Sequence, residues 1–194
     1  MIGKFVGIHA RKYSGKTEVA KVFRMHDFQV VKMADTLKNM TRILLSDAGF
    51  NSSEIEDLIE GPKDKKEMPI EILGGSSSRN IMETLGTEWR NMHSKTLWVD
   101  IAKTKIRNLM LSGQNVVCDD IRFSHEIETL TSFLPNSDFI KIVRPSLPEL
   151  VNPHPSEIPL DDIFFSKIIM NDGAIEDLNY HVVDYLDNKL EYTF

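Results

Sequence analysis

Apolar and polar positions follow two alternating rhythms along the chain. Short, nearly unbroken apolar runs occur at residues 4–9 (KFVGIH), 28–32 (FQVVK), 115–120 (NVVCDD), 138–144 (DFIKIVR) and 164–172 (FFSKIIMND). Runs this short predict strands buried on both faces. Between them the apolar spacing changes to three and four, as at Val19, Val22 and Phe23 after Lys16, or Leu37, Met40, Ile43 and Leu44 within 34–49. That period predicts helices, and further ones are expected over 79–90, 98–113, 124–134 and 174–186. Gly49 and Gly113 stand just past two of the predicted helix ends.

The connecting segments carry their own signals. Ser53-Glu54-Ile55-Glu56 predicts a capping box that opens a short acidic helix ending at Gly61-Pro62. KDKKE (63–67) predicts a solvated loop, and GGSSS (74–78) a flexible hinge or helix lead-in. Residues 145–160 contain Pro145, Pro148, Pro153, Pro155 and Pro159, which exclude a regular helix and predict a mobile loop. Strand–helix alternation implies one α/β domain over 1–194, a parallel sheet covered on both faces with ligands beyond the carboxyl ends of its strands. The stretch from about 35 to 95 holds only helices and loops, so a helical lobe inserted at that edge is expected.

Composition narrows the function classes. The 194 residues are 41% hydrophobic and 27% charged, a globular balance. Net charge is −6, so no global basic field draws the chain to polymeric nucleic acid, and any anion site must be local. Cys118 is the single cysteine, which excludes an internal disulfide and suits a reducing cytosol. No apolar stretch approaches the roughly 20 residues that cross a bilayer. The first apolar run is too short for a signal peptide and leads into Arg11 and Lys12, so a cytoplasmic protein is expected.

The chemistry begins at GIHARKYSGKT (7–17). Gly15-Lys16-Thr17 ends a phosphate-binding loop of the form GxxxxGK[ST], between a predicted strand and a predicted helix. Such a loop aims successive N–H groups inward, and the helix N-terminus adds positive potential. Lys16 would bridge the β- and γ-phosphates, and the Thr17 hydroxyl would hold Mg²⁺. Arg11 and Lys12 add cations, and Tyr13 and Ser14 complete the cradle. Ala10 stands where the pattern has glycine, and its Cβ disfavours positive φ. A solvated basic turn is the competing reading of the loop. Asp119-Asp120 closes a neighbouring strand, where a carboxylate can orient Mg²⁺, through water, or a nucleophile; turn-forming aspartates are the alternative there. Arg122 follows, a residue suited to bidentate phosphate contact.

Taken together, RKYSGKT, ADTLK (34–38), RNIMETLGTEWR (79–90), CDDIRFSHE (118–126), IVRP (142–145), HPSE (154–157) and MNDGAIEDL (170–178) resemble the bacteriophage deoxynucleoside monophosphate kinases. The likeness is less close to the phosphomevalonate kinases of the same P-loop superfamily. The resemblance implies a nucleoside monophosphate kinase-like three-layer P-loop fold with a five-stranded parallel sheet, a helical acceptor lobe and a lid over about 145–160. It implies transfer of the γ-phosphoryl of ATP, with Mg²⁺, to dTMP, dGMP or a cytosine-type deoxynucleotide. Lys16, Asp120, Arg122 and Arg144 would form the reaction centre. Arg11 to Thr17 would hold the ATP phosphates. Asp35, Lys38, Arg79, Trp89, Arg90, Asp120 and Arg122 would bind the acceptor. His154, Ser156 and Glu157 fall on the lid without an assigned role. Thr17 departs from the aspartate common at that position in these kinases and moves the loop toward the general NTPase pattern.

The implied partners are small nucleotides, with no membrane or nucleic acid polymer; a homodimer is left open. The implied location is the cytoplasm, a host's if the chain is phage-encoded. A kinase for another phosphorylated small molecule, phosphomevalonate-like, and a non-enzymatic nucleotide switch are the alternatives. Trp89 and Trp98 are read first as packing residues and Cys118 as inert core. The histidines show no zinc-ligand spacing.

Overall fold

A computed structural model describes residues 2–134, 137–149 and 157–190. The strands are β1 (Phe5–Ala10), β2 (Phe28–Val31), β3 (Asn115–Ile121), β4 (Ser137–Val143) and β5 (Lys167–Met170). The helices are α1 (Lys16–Met25), α2 (Asp35–Asp47), α3 (Ser52–Glu60), α4 (Lys63–Lys66), α5 (Ser78–Thr84), α6 (Arg90–Met92), α7 (Leu97–Leu111), α8 (Ser124–Phe133) and α9 (Ile175–Leu190). They divide into two compact units, Met1–Met33 with Ala102–Phe194, and Ala34–Ile101.

The first unit holds a five-stranded sheet of order β2-β3-β1-β4-β5, and every adjacent pair is parallel. All six residues of β1 are buried. Successive side chains of a strand point to opposite faces, so both faces of the sheet centre are covered. Val19, Val22 and Phe23 of α1 and Leu178, Val182, Tyr185 and Leu186 of α9 join the strands in one core. Phe23 meets Phe28 edge to face at 5.0 Å, a favoured aromatic geometry. β5 is shorter than the run 164–172 suggests, because Asp162–Phe164 makes a 3-10 turn capped by the Asp161 carboxylate.

Two backbone features shape the sheet toward its carboxyl end. On β1, Gly7 lies beside Phe139 of β4, and a Cβ at Gly7 would sit 2.5 Å from the ring. Between β1 and β3 the register slips: Gly7 pairs with Cys118 but His9 pairs with Ile121. Asp119 and Asp120 therefore oppose the single residue Ile8, a bulge that breaks side-chain alternation at the two carboxylates. The aspartates are strand residues, not turn residues.

The second unit is helical. Leu45, Ile55, Leu58, Ile59 and Ile70 form its core, with Phe50, Leu73 and Met82 packed against it. The capping box lies earlier than Ser53–Glu56. Asn51 accepts from the Ser53 and Glu54 amides, and the Glu54 carboxylate accepts from the Asn51 amide. Asparagine outcompetes the serines because its carbonyl reaches two N–H groups at once. KDKKE is not a loop: Pro62 precedes a single exposed helical turn, α4. The serine run proves a helix lead-in, with Ser77 capping α5 and the buried Ser78 hydroxyl donating to the Leu58 carbonyl. The helix expected over 79–90 is interrupted by a π turn, Leu85–Trp89. Trp98 Nε1 donates to the Gly86 carbonyl there, at 3.2 Å. Among the described residues no helix is long and apolar enough to cross a membrane.

The Gly7–Phe139 contact is testable. Gly7→Ala is expected to cost about 1–3 kcal/mol in urea unfolding, because the ring must shift in a full core. The cost should shrink in a Phe139→Leu background; equal costs in both backgrounds would show that the ring does not set it.

Candidate active site

Ala10 ends β1 in extended backbone, paired with Ile142, and does not have a positive φ. The loop takes its left-handed angles later, at Tyr13 (φ 67°) and Gly15 (φ 96°). No glycine is needed at position 10, which removes the sequence-level objection to the loop. Ser14, 1% exposed, turns inward and donates its amide to the Arg11 carbonyl at 3.2 Å. Gly15 then caps α1, and its carbonyl accepts from the Glu18 and Val19 amides. Thr17 is exposed in the first turn of α1.

Asn171 is the functional residue that sequence reasoning missed. It lies just past β5, and its side-chain amide donates to the Ser14 carbonyl at 3.0 Å. A Cβ at Gly15 would come within 2.7 Å of that amide and 3.0 Å of Leu178. The loop is thus wrapped against β5 and α9. The available signal was an asparagine at the end of an apolar run, read only as part of the predicted strand 164–172 and of the resembling stretch 170–178.

Cations from three central strands gather at the loop. Lys16 folds back and donates to the Ala10 carbonyl at 2.8 Å. Burial, and then the Arg122 charge, push its pKa down, while Glu157, Asp120 and Asp119 pull it up. Arg122 follows β3 and pairs with Glu157 at 2.9 Å. Arg144 follows β4 and donates to the Tyr13 carbonyl at 3.4 Å. Arg11 donates to the Pro148 carbonyl, while its buried Nε has no hydrogen-bond partner. Lys12 extends over the exposed Tyr13 ring, and its amide donates to Glu157 at 3.2 Å. His154 and Ser156 lie outside the described residues.

The acidic strand end faces the same region. Asp119 is 7% exposed, with Lys32 at 3.7 Å from one oxygen and the other oxygen buried without a hydrogen bond. Burial, and then Asp120, raise its pKa against the pull of Lys32 and Lys16. Asp120 accepts from the Met33 amide at 2.8 Å and from the Cys118 thiol. Cys118 is fully buried, and burial pushes its thiol well up, so it is inert core. An unpartnered carboxylate oxygen and a hydroxyl are hard donors that fit Mg²⁺. Among the described residues no cluster of three or more His, Cys, Asp or Glu could hold a metal. Few protein ligands suit Mg²⁺ shared with phosphates. The Glu126 carboxyl accepts the Arg122 and Phe123 amides, which fixes the backbone at Arg122. Burial foremost raises its pKa to about 7.

His9 ties this end of the sheet together. Its Nδ1 donates to the Ile121 carbonyl at 2.9 Å, so Nε2 is the acceptor for the Leu160 amide at 3.3 Å. The ring stacks on Phe165. Burial lowers its pKa to about 4, keeping the imidazole neutral.

In the helical unit, Asp35 opens α2 and Lys38 pairs with Glu60 at 2.8 Å. Arg79 pairs with Glu67 at 3.3 Å and Glu83 at 3.0 Å. Arg90 opens α6 beyond the π turn. At 1.5 Å per residue it stands about 16 Å along the helical path from Arg79, so one anion meets both only if each long arm leans inward. Trp89 is 41% exposed and stacks on Trp98 at 6.5 Å, so it packs and still presents a face.

A parallel sheet of this order, with a glycine–lysine loop heading α1, defines a P-loop kinase with a nucleoside monophosphate kinase-like fold. Residues 62–182, more than half of the chain, match the family model for deoxynucleotide monophosphate kinase, and the chain belongs to that family. It is an ATP-dependent phosphotransferase acting on small nucleotides. The match begins well after the phosphate loop, so loop and family are independent observations. Among solved structures the chain is similar to TT1252 from Thermus thermophilus, at 15% identity over 97% of this chain and 98% of that one, with a TM-score of 0.53. It is also similar to a sugar kinase from Janibacter sp. HTCC2649, at 13% identity over 95% of each chain and a TM-score of 0.51. At these identities the likeness is one of fold alone. No curated protein matches the chain.

His9 yields a pH prediction. Its pKa falls from 6.5 unfolded to about 4 folded, so the unfolded chain binds the extra proton between those values. The stability it contributes is full above pH 6.5 and is lost as pH falls toward 4. Unfolding midpoints should drop across that window, and less steeply in His9→Gln. An imidazole NMR titration of His9 near 6.5 would refute this.

Proposed function

We propose that the chain transfers the γ-phosphoryl of ATP to a deoxynucleoside 5′-monophosphate, dTMP, dGMP or a cytosine-type nucleotide, giving the diphosphate and ADP. The observation that carries the reading is the gathering of Lys16, Arg122 and Arg144, from behind β1, β3 and β4, at the one loop that heads α1. A transferring phosphoryl group spreads charge over its oxygens, and fixed cations stabilise that charge at no cost in reorganisation.

The roles divide by unit. Residues Arg11 to Thr17 take the ATP phosphates. Thr17, with Asp119 or Asp120 acting through water, would hold Mg²⁺, which would supply charge neutralisation at the donor phosphates. The helical unit is assigned to acceptor binding through Asp35, Lys38, Arg79, Arg90 and the exposed face of Trp89, with Asp120 and Arg122 completing the acceptor side. The ion pairs of Lys38 and Arg79 are partly exposed and weak, so a phosphate dianion can displace their glutamates. Residues 145–160 are assigned as the lid; 150–156 lie outside the described residues.

An ionised oxygen of the acceptor phosphate attacks the γ-phosphorus, and the bond to the β-phosphate oxygen breaks. The nucleophile already carries negative charge, so no strong general base is required. Excluding water during the step prevents hydrolysis. The reading places the enzyme in the cytoplasm, a host's if the chain is phage-encoded.

A coupled ADP-forming assay with ATP, Mg²⁺ and each common dNMP tests the reading. Turnover is expected with at least one of dTMP, dGMP or a cytosine nucleotide, and silence with all of them would overturn it. Lys16→Ala should lower kcat by about a hundred-fold or more with little change in unfolding midpoint. Arg79→Ala should raise KM for the dNMP about ten-fold while KM for ATP stays put; equal changes in both would remove Arg79 from the acceptor site.

A further inference from the structure

Glu157 touches the phosphate loop directly. One carboxylate oxygen accepts the Lys12 amide at 3.2 Å, and the other accepts Arg122 Nη1 at 2.9 Å. Its charge also acts on Lys16. A loop amide on one oxygen, a guanidinium on the other and a nearby lysine ammonium are the contacts that a pair of phosphate oxygens makes in such a cradle.

We propose that Glu157 is an internal stand-in for a donor phosphate, and that ATP binds by taking the Lys12 amide and the Arg122 guanidinium away from it. The proposal rests on the reading that residues 11–17 bind the ATP phosphates.

Four observations support exchange over a permanent pin. Arg11, Lys12, Lys16, Arg122 and Arg144 crowd one loop of a chain whose net charge is −6. The Arg122 charge already disfavours the Lys16 ammonium, so an anion relieves the repulsion. Burial pushes the Glu157 carboxyl up, but the Lys12 amide, Arg122 and Lys16 outweigh it and hold its pKa below the usual carboxylate value. The carboxylate is therefore ionised at neutral pH. The pair is also partly exposed, at 38% for Arg122 and 23% for Glu157. A partly solvated pair is weak, and a polyphosphate with more charge and more oxygens displaces it. Arg122 would then pass from a carboxylate to a phosphate without crossing a state in which its charge has no anion.

The test measures ATP affinity, with Mg²⁺, for the full chain, Glu157→Gln, Glu157→Ala, Glu157→Asp and Lys16→Ala, beside unfolding midpoints with and without ATP. Glu157→Gln and Glu157→Ala should bind ATP about 3- to 10-fold tighter, because no internal anion is displaced. Glu157→Asp, too short to bridge both donors, should fall between them and the parent. Without ATP the Gln and Ala variants should melt lower, and their midpoints should rise more when ATP is added. A merely structural role would lower both midpoints and would not tighten binding. Unchanged or weaker binding in the Gln and Ala variants, with the parent binding and Lys16→Ala failing to bind, overturns the proposal and leaves the loop reading intact. A parent that does not bind ATP, or a Lys16→Ala variant that binds equally well, overturns both.

Discussion

The site depends on a left-handed turn at Gly15 made where there is no room for a Cβ. A side chain there would strike the Asn171 amide and Leu178, and the backbone angle disfavours one in any case. The turn lets α1 begin immediately, so the free amides of its first turn and its positive end face the loop. It also buries Ser14, whose carbonyl would be left unpaired without Asn171, 157 residues further on. The last strand and last helix are therefore the wall of the cradle, although their sequence holds no phosphate-binding motif. Ala10 is tolerated because the loop places its unusual angles at Tyr13 and Gly15.

Charge is the second constraint. Cations drawn together to bind phosphate repel one another, and burial makes the repulsion larger. The structure answers with carbonyl acceptors and carboxylates. Lys16 rests on Ala10, Arg144 on Tyr13, Arg11 on Pro148 and Arg122 on Glu157. Each contact is one that phosphate oxygens can replace, so the arrangement that keeps the loop folded also pre-aims its donors. At the acidic end the bulge in β3 sets two carboxylates against one residue of β1. One Asp119 oxygen is left without a hydrogen bond, a state that burial makes costly unless a ligand uses it.

Much of this was legible in the chain. The apolar runs located all five strands, and the 3.6-residue period located the long helices, because burial on two faces or one leaves a direct imprint on residue order. Lys16 was readable from the phosphate-loop pattern and Arg122 from its place after an acidic strand end, whereas Arg144 came only with the family resemblance. The misreadings were local competitions. Asn51 capped α3 in place of Ser53, Pro62 opened a helical turn in a charge run, and an aspartate-capped 3-10 turn shortened β5. The π turn at Leu85–Trp89 had no sequence signal, since its stabilising contact comes from Trp98, outside the turn.

By itself the sequence determined the alternation of strands and helices, the parallel class of the sheet and the phosphate-loop chemistry of Gly15-Lys16-Thr17. These follow from neighbours within a few residues, which the order of the chain states outright. Only the tertiary structure decided that Asn171 supports Ser14, that Glu157 takes the Lys12 amide and Arg122, and that His9 stays neutral between Ile121 and Leu160. Those contacts join residues more than a hundred positions apart, except that of Arg122 with Glu157. They depend on distance and burial, and neither quantity is written in local residue order.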